Sequence, residues 1–288
     1  MCVFSLRKLL YDQYVSRIII PQAVCILNKS LVFNKGVLGE NVEKCGTIEE
    51  YRKREERRMV IQGLQKLTLL DYPGKTACTV FTGGCNFRCP FCHNSDLVLN
   101  VDRMQMISED EVLSFLKKRR GILDGVCVTG GEPLVQKDVE SFLKKVKDMG
   151  FLVKLDTNGS FPDRLKKIVE NHLVDYVAMD IKNSKEKYAK TIGIKGYDCS
   201  EIEKSVDFLM EGRVEYEFRT TVVREFHEAE DLRKISEWIK GAEHYYLQQF
   251  VDSGNLIEEG LHGYTKEEME ELLKVVKEQA ENADVRGV

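Results

Sequence analysis

From Met59 onward, the chain alternates short runs rich in β-branched and aromatic residues with longer runs in which apolar residues recur every three to four positions. The short runs are typical of strands, and the longer ones are typical of amphipathic helices. Strands are predicted near 75–82, 124–129, 151–156, 174–181, 214–222 and 243–250. Helices are predicted near 108–121, 136–149, 162–172, 199–211, 228–241 and 265–282.

Strands that alternate with helices form parallel sheets, because each helix carries the chain back across the sheet. We therefore predict an α/β fold. Six βα units are too few to close an eight-stranded barrel, so we expect a partial (β/α)6 barrel with parallel strands and an open side. The capping boxes Ser108-x-x-Glu111 and Thr265-x-x-Glu268 support two of the helix starts. In such folds the reactive side chains gather at the carboxyl ends of the strands.

The composition fits a protein with a full hydrophobic core. The chain has 288 residues, of which 43% are hydrophobic and 31% charged, and this suits one large domain or two small ones. The most hydrophobic stretch, residues 18–33, is interrupted by Pro21, Asn28 and Lys29, so we predict no membrane span. No convincing signal-peptide cleavage site follows it, so a cytoplasmic location is expected. The net charge of −4 gives no electrostatic reason to expect nucleic acid as a partner.

The first 58 residues differ in charge from the rest. They contain 11 Lys and Arg against 7 Asp and Glu, whereas the chain from Met59 onward contains 32 against 40. We therefore predict an N-terminal extension at 1–58 and a core domain at 59–288. The run Arg-Glu-Glu-Arg-Arg directly before Met59 can be encoded by a tract that resembles a bacterial ribosome-binding site. Residues 1–58 are thus either a genuine basic appendage, disordered or docked elsewhere, or leader translated from a misassigned start, and N-terminal sequencing of the native protein separates the two.

Three cysteines stand close together directly after the first predicted strand. The segment Gly83-Gly-Cys85-Asn-Phe-Arg-Cys89-Pro-Phe-Cys92-His-Asn has the spacing C-x3-C-x2-C. In a chain expected in the cytoplasm, such cysteines are typical of a metal site rather than a disulfide framework. A four-iron cluster normally takes four cysteine ligands, so three would leave one iron open, just as an open position marks a catalytic zinc. Cys85, Cys89 and Cys92 are therefore candidate cluster ligands.

A zinc site is the alternative for the same loop. His93 would complete a Cys3His set, and Cys78, Cys127 or Cys199 could pair with the loop. Zinc sites usually combine two C-x2-C halves, however, and the sequence contains no second half. The spacing favours the cluster.

Three further segments rich in Gly, Asp and Asn follow successive predicted strands. They are Thr129-Gly130-Gly131-Glu132-Pro133, Asp156-Thr157-Asn158-Gly159 and Asp180-Ile181-Lys182. Each could be an ordinary turn, but a turn does not require a glutamate, and glycine lets the backbone approach a ligand closely. Their placement on adjacent strand ends predicts one binding site. A lysine there suits a carboxylate ligand, with which it forms a charge-assisted hydrogen bond.

The cysteine loop, with Phe91 before the third cysteine, resembles the signature of the radical SAM superfamily. In that family three cysteines hold one [4Fe–4S] cluster, and S-adenosylmethionine chelates the open iron and is cleaved to a 5′-deoxyadenosyl radical when the cluster is reduced. The resemblance implies that the three cysteines are the catalytic metal ligands. It also implies that the later strand ends bind the cosubstrate, through Gly130, Gly131, Glu132, Asp156, Thr157, Asp180 and Lys182.

The resemblance assigns a role to each of these strand ends. The Gly-Gly-Glu segment binds the methionine amino group. Asp180 and Lys182 contact the ribose and the carboxylate, and the Asp156-Thr157 pair lies beside them, in some members around a monovalent cation. Arg219 and Gln249, on the last two predicted strands, either touch the adenosyl group or satisfy a buried partner.

A narrower resemblance begins before the first predicted strand. Residues 63–76, Cys-His-Asn after the third cysteine, Glu-Phe-Arg-Thr-Thr-Val at 217–222, Gln-Gln-Phe at 248–250 and Val-Arg-Gly at 285–287 resemble the activating proteins of anaerobic ribonucleoside-triphosphate reductase. These are glycyl-radical enzyme activating enzymes. The resemblance implies an oxidoreductase that abstracts hydrogen from a backbone glycine of a partner reductase, and a flavodoxin- or ferredoxin-type electron donor.

Two alternative functions stay open. Short radical SAM enzymes that act on pterin-like small molecules, such as 7-carboxy-7-deazaguanine synthase, share the first two motifs and need no protein partner. A non-enzymatic zinc-binding module would leave the strand-end motifs unexplained. His227 lies just after the fifth predicted strand and is expected to be a loop or cap residue rather than a catalyst.

Overall fold

The computed structural model of the protein describes residues 59–287, so the predictions for residues 1–58 lie outside the described part of the chain. Its strands are β1 (Ile61–Thr68), β2 (Ala77–Thr82), β3 (Gly125–Gly130), β4 (Leu152–Thr157), β5 (Tyr176–Asp180), β6 (Glu215–Val222), β7 (Tyr245–Gln249) and β8 (Ala283–Arg286). Its α-helices are α1 (Ser95–Leu99), α2 (Glu109–Lys117), α3 (Val139–Asp148), α4 (Pro162–Glu170), α5 (Lys185–Thr191), α6 (Ser200–Met210), α7 (Ala229–Trp238) and α8 (Lys266–Lys277).

The strands form one sheet in the order β1 to β8. β1 pairs antiparallel with β2, and every other neighbouring pair is parallel. β2 to β7 are the six strands expected from the sequence, and their bounds differ from the expected ones by at most two residues. The α/β fold with a parallel, open sheet is thus confirmed, and one further strand extends it at each edge.

The helices cover the sheet with amphipathic faces, as the apolar periodicity predicted. α3, for example, buries Val139, Phe142, Leu143 and Val146, which are spaced to lie on one face, and leaves its lysines at the surface. The six predicted helices all form, but they end before the predicted bounds, by as much as five residues. Two short helices, α1 and α5, were not predicted.

Both predicted capping boxes lie at helix starts, and one of them forms both of its hydrogen bonds. At the start of α8, the Thr265 hydroxyl accepts from the Glu268 amide at 3.3 Å, and the Glu268 carboxylate accepts from the Thr265 amide at 2.7 Å. At the start of α2, Ser108 accepts from the Glu111 amide at 3.2 Å, which is one half of the box. Side-chain oxygens at these positions satisfy amides that a helix leaves unpaired.

The carboxyl ends of the parallel strands β2 to β7 lie at one edge of the sheet. The segment after β7, residues 251–258, reaches from there to the loop after β2, and we call it the strap. The His93 ring donates from Nε2 to the Val251 carbonyl at 2.8 Å, and the Asn255 side-chain amide donates to Asp96 Oδ2 at 3.0 Å. The strap therefore joins two strand ends that are not neighbours in the sheet.

The described helices also bear on the membrane prediction. Within residues 59–287, no helix is both long enough and apolar enough to cross a bilayer.

Candidate functional site

The loop after β2 carries Cys85, Cys89 and Cys92 around a tight turn. The Cys92 amide donates to the Cys89 carbonyl at 3.0 Å. The Phe87 amide donates to Cys85 Sγ at 3.3 Å, and the side-chain nitrogen of Asn158 lies 3.8 Å from the same sulfur. Donors of this kind stabilise a thiolate, the form that ligates a metal.

Burial sets the protonation state of these thiols. Burial raises the pKa of all three, to about 12 at Cys85 and about 11 at Cys89. The free thiols are therefore neutral at pH 7, and a bound cation is needed to deprotonate them. This donor set fits a metal group better than it fits a nucleophilic cysteine.

Two glycines bring the cysteine loop into backbone contact with the end of β3. Gly84 has a φ of +87°, in the left-handed region that glycine tolerates. A Cβ atom on Gly131 would lie 2.0 Å from the Gly84 carbonyl oxygen, which accepts from the Glu132 amide at 2.8 Å. Only a residue without a side chain fits at 131, so the Gly-Gly-Glu segment shapes the loop as well as its own strand end.

The geometry does not provide the zinc site considered above. Within residues 59–287, no three His, Cys, Asp or Glu side chains converge closely enough to hold a single metal ion. In a cubane cluster each cysteine binds a different iron, so such convergence is not needed. His93 binds the Val251 carbonyl and stacks on Phe250 with ring centroids 5.2 Å apart. The Cys3His set is therefore not formed.

Glu132 is fully buried and joins the ends of β3 and β4. Its Oε1 accepts from the Leu134 amide at 2.9 Å and from the Thr157 hydroxyl at 2.8 Å. Its Oε2 accepts from the Asn158 amide at 2.7 Å. Burial raises the pKa of Glu132 to about 7, although these three hydrogen bonds favour the ionised form. The carboxyl group thus fixes two strand ends.

The ends of β4, β5 and β6 carry a chain of buried ion pairs. Arg219 lies at its centre, with Nη1 3.3 Å from Asp156 Oδ2 and with Nε donating to Asp180 Oδ1 at 3.0 Å. Each carboxylate pairs through its other oxygen with a lysine, Asp156 with Lys154 and Asp180 with Lys182, the latter at 2.9 Å. Arg219 Nη1 also lies 4.0 Å from Oε1 of the buried Glu217, which pairs with Arg286, so the chain of ion pairs continues to β8.

The ion pairs keep these groups charged at neutral pH. Burial alone would raise the pKa of both carboxyl groups, but the cations outweigh it. Arg219 and then Lys182 hold the pKa of Asp180 at about 2, and Arg219 lowers the pKa of Asp156. Burial would lower the pKa of Lys182 and Arg219, but the paired carboxylates raise both above their usual values.

Apart from Lys154, Glu217 and Arg286, the charged groups and the three cysteines line one cavity of about 220 Å³ at the carboxyl edge of the sheet. Its wall includes each site residue that the motifs predicted: Cys85, Cys89, Cys92, Gly130, Gly131, Glu132, Asp156, Thr157, Asp180 and Lys182. The three cysteines therefore share one space with two cations, Lys182 and Arg219, and with the carboxyl groups paired to them. A ligand with a carboxylate and a metal-binding group matches it.

Two residues left open by the sequence have different positions. Arg219 lines the cavity, as does Thr221 on the same face of β6. Gln249 instead donates its side-chain amide to the Tyr264 carbonyl at 2.8 Å. Its neighbour Gln248, paired in register with Thr221, lines the cavity in its place. Strand alternation could have selected Gln248, had the face of β7 been known.

His227 supports the site from behind. It is fully buried, its Nδ1 accepts from the Val223 amide at 3.1 Å, and its Nε2 donates to the Lys182 carbonyl at 2.8 Å. Burial lowers its pKa, so the ring is neutral. Its contacts are those of a residue that fixes the backbone at Lys182, in keeping with the expectation that it is not a catalyst.

The sequence and the fold are similar to those of known proteins. The profile of the Radical SAM superfamily matches residues 79–239. A provisionally named glycyl-radical enzyme activating enzyme of Methanocaldococcus jannaschii is 33% identical over 239 residues, which are 80% of this chain and 97% of that protein. A 7-carboxy-7-deazaguanine synthase of Thermoplasma acidophilum is 36% identical over 120 residues, 41% of this chain and 53% of that protein. The match to the crystal structure of QueE from Escherichia coli covers 84% of this chain and 100% of that one, with a TM-score of 0.50 and 12% identity. At this identity the match shows the fold alone.

The chain therefore belongs to the radical SAM superfamily, and it is an enzyme of that family. Within the superfamily, it is similar over nearly the whole length of the relative to a glycyl-radical enzyme activating enzyme. Membership implies a [4Fe–4S] cluster and S-adenosylmethionine as cofactors. It also overturns the alternative of a non-enzymatic zinc-binding module.

Proposed function

We propose that the protein is a glycyl-radical enzyme activating enzyme, which takes a hydrogen atom from a backbone glycine of a partner protein. The observation that carries the proposal is the single cavity in which the cysteine loop meets the three later strand ends. The similarity to the Methanocaldococcus jannaschii protein supports it, because it extends through 97% of that relative rather than only through the shared core.

In this proposal Cys85, Cys89 and Cys92 hold the [4Fe–4S] cluster. Their spacing and their neighbouring N–H donors fit the group. When bound, the cluster supplies the electron that cleaves the sulfonium of S-adenosylmethionine. The loop itself excludes water on one side, because Phe87 and Phe91 are buried beside the cysteines.

The chain's own contribution to cosubstrate binding is the charged group at the ends of β4 to β6. The two cations of this group that line the cavity, Lys182 and Arg219, offer N–H donors to a carboxylate in a sheltered space. Because Arg219 pairs with Asp156 as well as Asp180, it orients Asp180 and thereby Lys182. The preorganised ion pairs limit the rearrangement that binding requires.

Removing the charge of Lys182 tests this assignment. Lys182→Met is expected to weaken S-adenosylmethionine binding by about 10- to 100-fold, the loss typical of one charge-assisted hydrogen bond. Equilibrium dialysis with the reconstituted protein measures it. Lys166→Met, which removes an exposed lysine on α4, serves as the matched control. Equal affinities in the two variants would contradict a direct role of Lys182.

For the partner we propose anaerobic ribonucleoside-triphosphate reductase, on the strength of the sequence resemblance from residue 59 to the Val-Arg-Gly terminus. The test is anaerobic reconstitution with S-adenosylmethionine, a reductant and the candidate reductase, followed by electron paramagnetic resonance. A glycyl signal that disappears when the partner's glycine is replaced by alanine supports the proposal. If 5′-deoxyadenosine forms but neither this reductase nor pyruvate formate-lyase gains the signal, the partner assignment fails.

A small-molecule substrate is the second candidate function. It is favoured by the 36% identity to a 7-carboxy-7-deazaguanine synthase, although the match covers 53% of that protein. The same reconstitution, supplied with the pterin substrate of such an enzyme in place of a protein, distinguishes it by a new nucleobase product.

A further inference from the structure

The outer side of the cysteine loop is covered by the turn that follows α5. The Arg88 amide donates to the Ile192 carbonyl at 2.9 Å. Gly193, which is exposed, has a φ of +67°, and a Cβ atom there would lie 2.3 Å from the Arg88 carbonyl oxygen. A residue with a side chain does not fit without displacing the loop. The Arg88 guanidinium also folds onto the loop, with Nη1 donating to the Cys85 carbonyl at 2.6 Å and to the Phe87 carbonyl at 2.7 Å. The turn and this arginine therefore cover the loop between Cys85 and Cys89.

Three cations lie at the end of α5, on this turn and on the loop that it contacts, together with one exposed carboxylate, Asp198. Arg88, Lys190 and Lys195 are exposed, and within residues 59–287 none of them forms a salt bridge. The two other lysines of α5, in contrast, are paired with carboxylates. The chain from Met59 onward has 40 acidic against 32 basic residues, so unpaired cations grouped at one place run against the charge of the domain.

Aromatic contacts lead inward from the same surface. The Tyr197 ring is half-buried and packs on Phe87 edge to face, with centroids 5.3 Å apart. Lys190 Nζ lies 5.8 Å from the Phe226 ring, which in turn lies 5.5 Å from Phe91. Phe87 and Phe91 flank Cys89 in the sequence. Tyr197 therefore contacts Phe87 directly, whereas Lys190 is connected to Phe91 through Phe226.

We propose that this surface, the donor face formed by Arg88, Lys190, Gly193, Lys195 and Tyr197, docks an acidic one-electron carrier protein. None of the five residues lines the cavity, so a carrier bound here leaves the cosubstrate and substrate space free. The inference rests on the proposed function in one respect, that the cysteine loop holds a cluster in need of reduction. It does not depend on the identity of the hydrogen donor.

The step at the donor face is a single electron transfer. The carrier, such as a flavodoxin hydroquinone, is oxidised by one electron, and the cluster passes from the 2+ to the 1+ state. No bond forms or breaks at the protein. Opposite charges on the two surfaces accelerate encounter by about 10- to 1000-fold at low ionic strength, and salt screens the effect.

Charge reversal on the donor face tests the proposal. The reconstituted double variant Lys190→Glu/Lys195→Glu is compared with Lys118→Glu/Lys240→Glu, which makes the same charge change at exposed lysines elsewhere. Stopped-flow absorbance measures the rate of cluster reduction by reduced flavodoxin and, separately, by photoreduced 5-deazariboflavin, a small neutral reductant. We expect flavodoxin to reduce the donor-face variant at least about 10-fold more slowly than the control at low salt, with the difference shrinking at high salt.

The expected rates with 5-deazariboflavin are equal in both variants, which shows that the cluster is intact. An equal flavodoxin rate in both doubles would overturn the proposal. A loss with 5-deazariboflavin in the donor-face variant alone would also overturn it, because the lysines would then support the cluster rather than the carrier. The proposal would also be overturned if neither flavodoxin nor ferredoxin reduced the cluster of the wild-type protein. The assay contains no glycyl-radical protein. Its outcome therefore does not depend on whether this protein activates one.

Discussion

Alanine at Cys85, Cys89 or Cys92 is expected to abolish reductive cleavage of S-adenosylmethionine. Each variant loses one of three ligands, so the reconstituted protein should hold far less iron and sulfide than the four of each per chain that one cluster contains. We expect 5′-deoxyadenosine formation to fall by more than about 100-fold. Replacing even a residue that only hydrogen-bonds to a metal ligand typically lowers metal affinity or activity by about 10- to 100-fold. Iron and sulfide analysis and chromatographic assay of 5′-deoxyadenosine measure the two effects.

Two other cysteines provide matched controls. Cys78 and Cys127 are fully buried on β2 and β3, and alanine at either position removes one buried sulfur, at a cost of about 1 kcal/mol. Both variants should bind the cluster and retain measurable cleavage. Equal loss of iron in the ligand and control groups would refute the ligand assignment.

Replacement of Arg286 by methionine is expected to destabilise the protein by about 3 kcal/mol. Arg286 donates from Nη1 and Nη2 to the two oxygens of Glu217, both at 2.9 Å, and its guanidinium lies 3.3 Å from the Tyr246 ring centroid. Glu217 is fully buried, and its other close donor is the Tyr176 hydroxyl at 2.9 Å. Removing the arginine leaves a buried carboxylate without its main partner, and breaking such a pair costs about 3–5 kcal/mol. We take the lower end, because the Arg286 side chain is 35% exposed.

Denaturant unfolding under anaerobic conditions measures this loss as a lower midpoint. The double variant Glu217→Gln/Arg286→Met is the control, because it removes the buried charge along with its partner. It should be more stable than Arg286→Met alone. A single variant within about 0.5 kcal/mol of the wild type would show that the pair does not anchor β8.

The central fold was predictable because its strands are mostly apolar and are separated by amphipathic helices. The edge strands lack this pattern. In β1, Gln62 is buried while Leu67 is exposed, so side-chain polarity does not report which face is inside. β8 has four residues, Ala-Asp-Val-Arg, and depends on its pairing with β7 rather than on its own sequence. Tertiary contacts decided both strands.

The site was predictable where glycine, cysteine and acidic residues cluster at strand ends. The ion pairs of Arg219 were not, because they join residues 39 and 63 positions apart in the sequence. Lys154 precedes Asp156 by two positions and was not singled out, since an isolated lysine is usually exposed. The register of β5 on β6 sets Asp180 opposite Arg219. Only this register, combined with strand alternation, shows that the side chains of Asp180 and Arg219 both point into the cavity.

The cysteine loop is held by residues far along the chain. Its contacts include Asn158, the carbonyl of Ile192 and the amide of Glu258, which donates to the Pro90 carbonyl at 3.0 Å. A ribosome delivers the chain in order at about 5–20 residues per second, so all three cysteines emerge well before these supports. We therefore expect iron and sulfide to be delivered after these supporting segments have been synthesised and have packed on the cysteine loop.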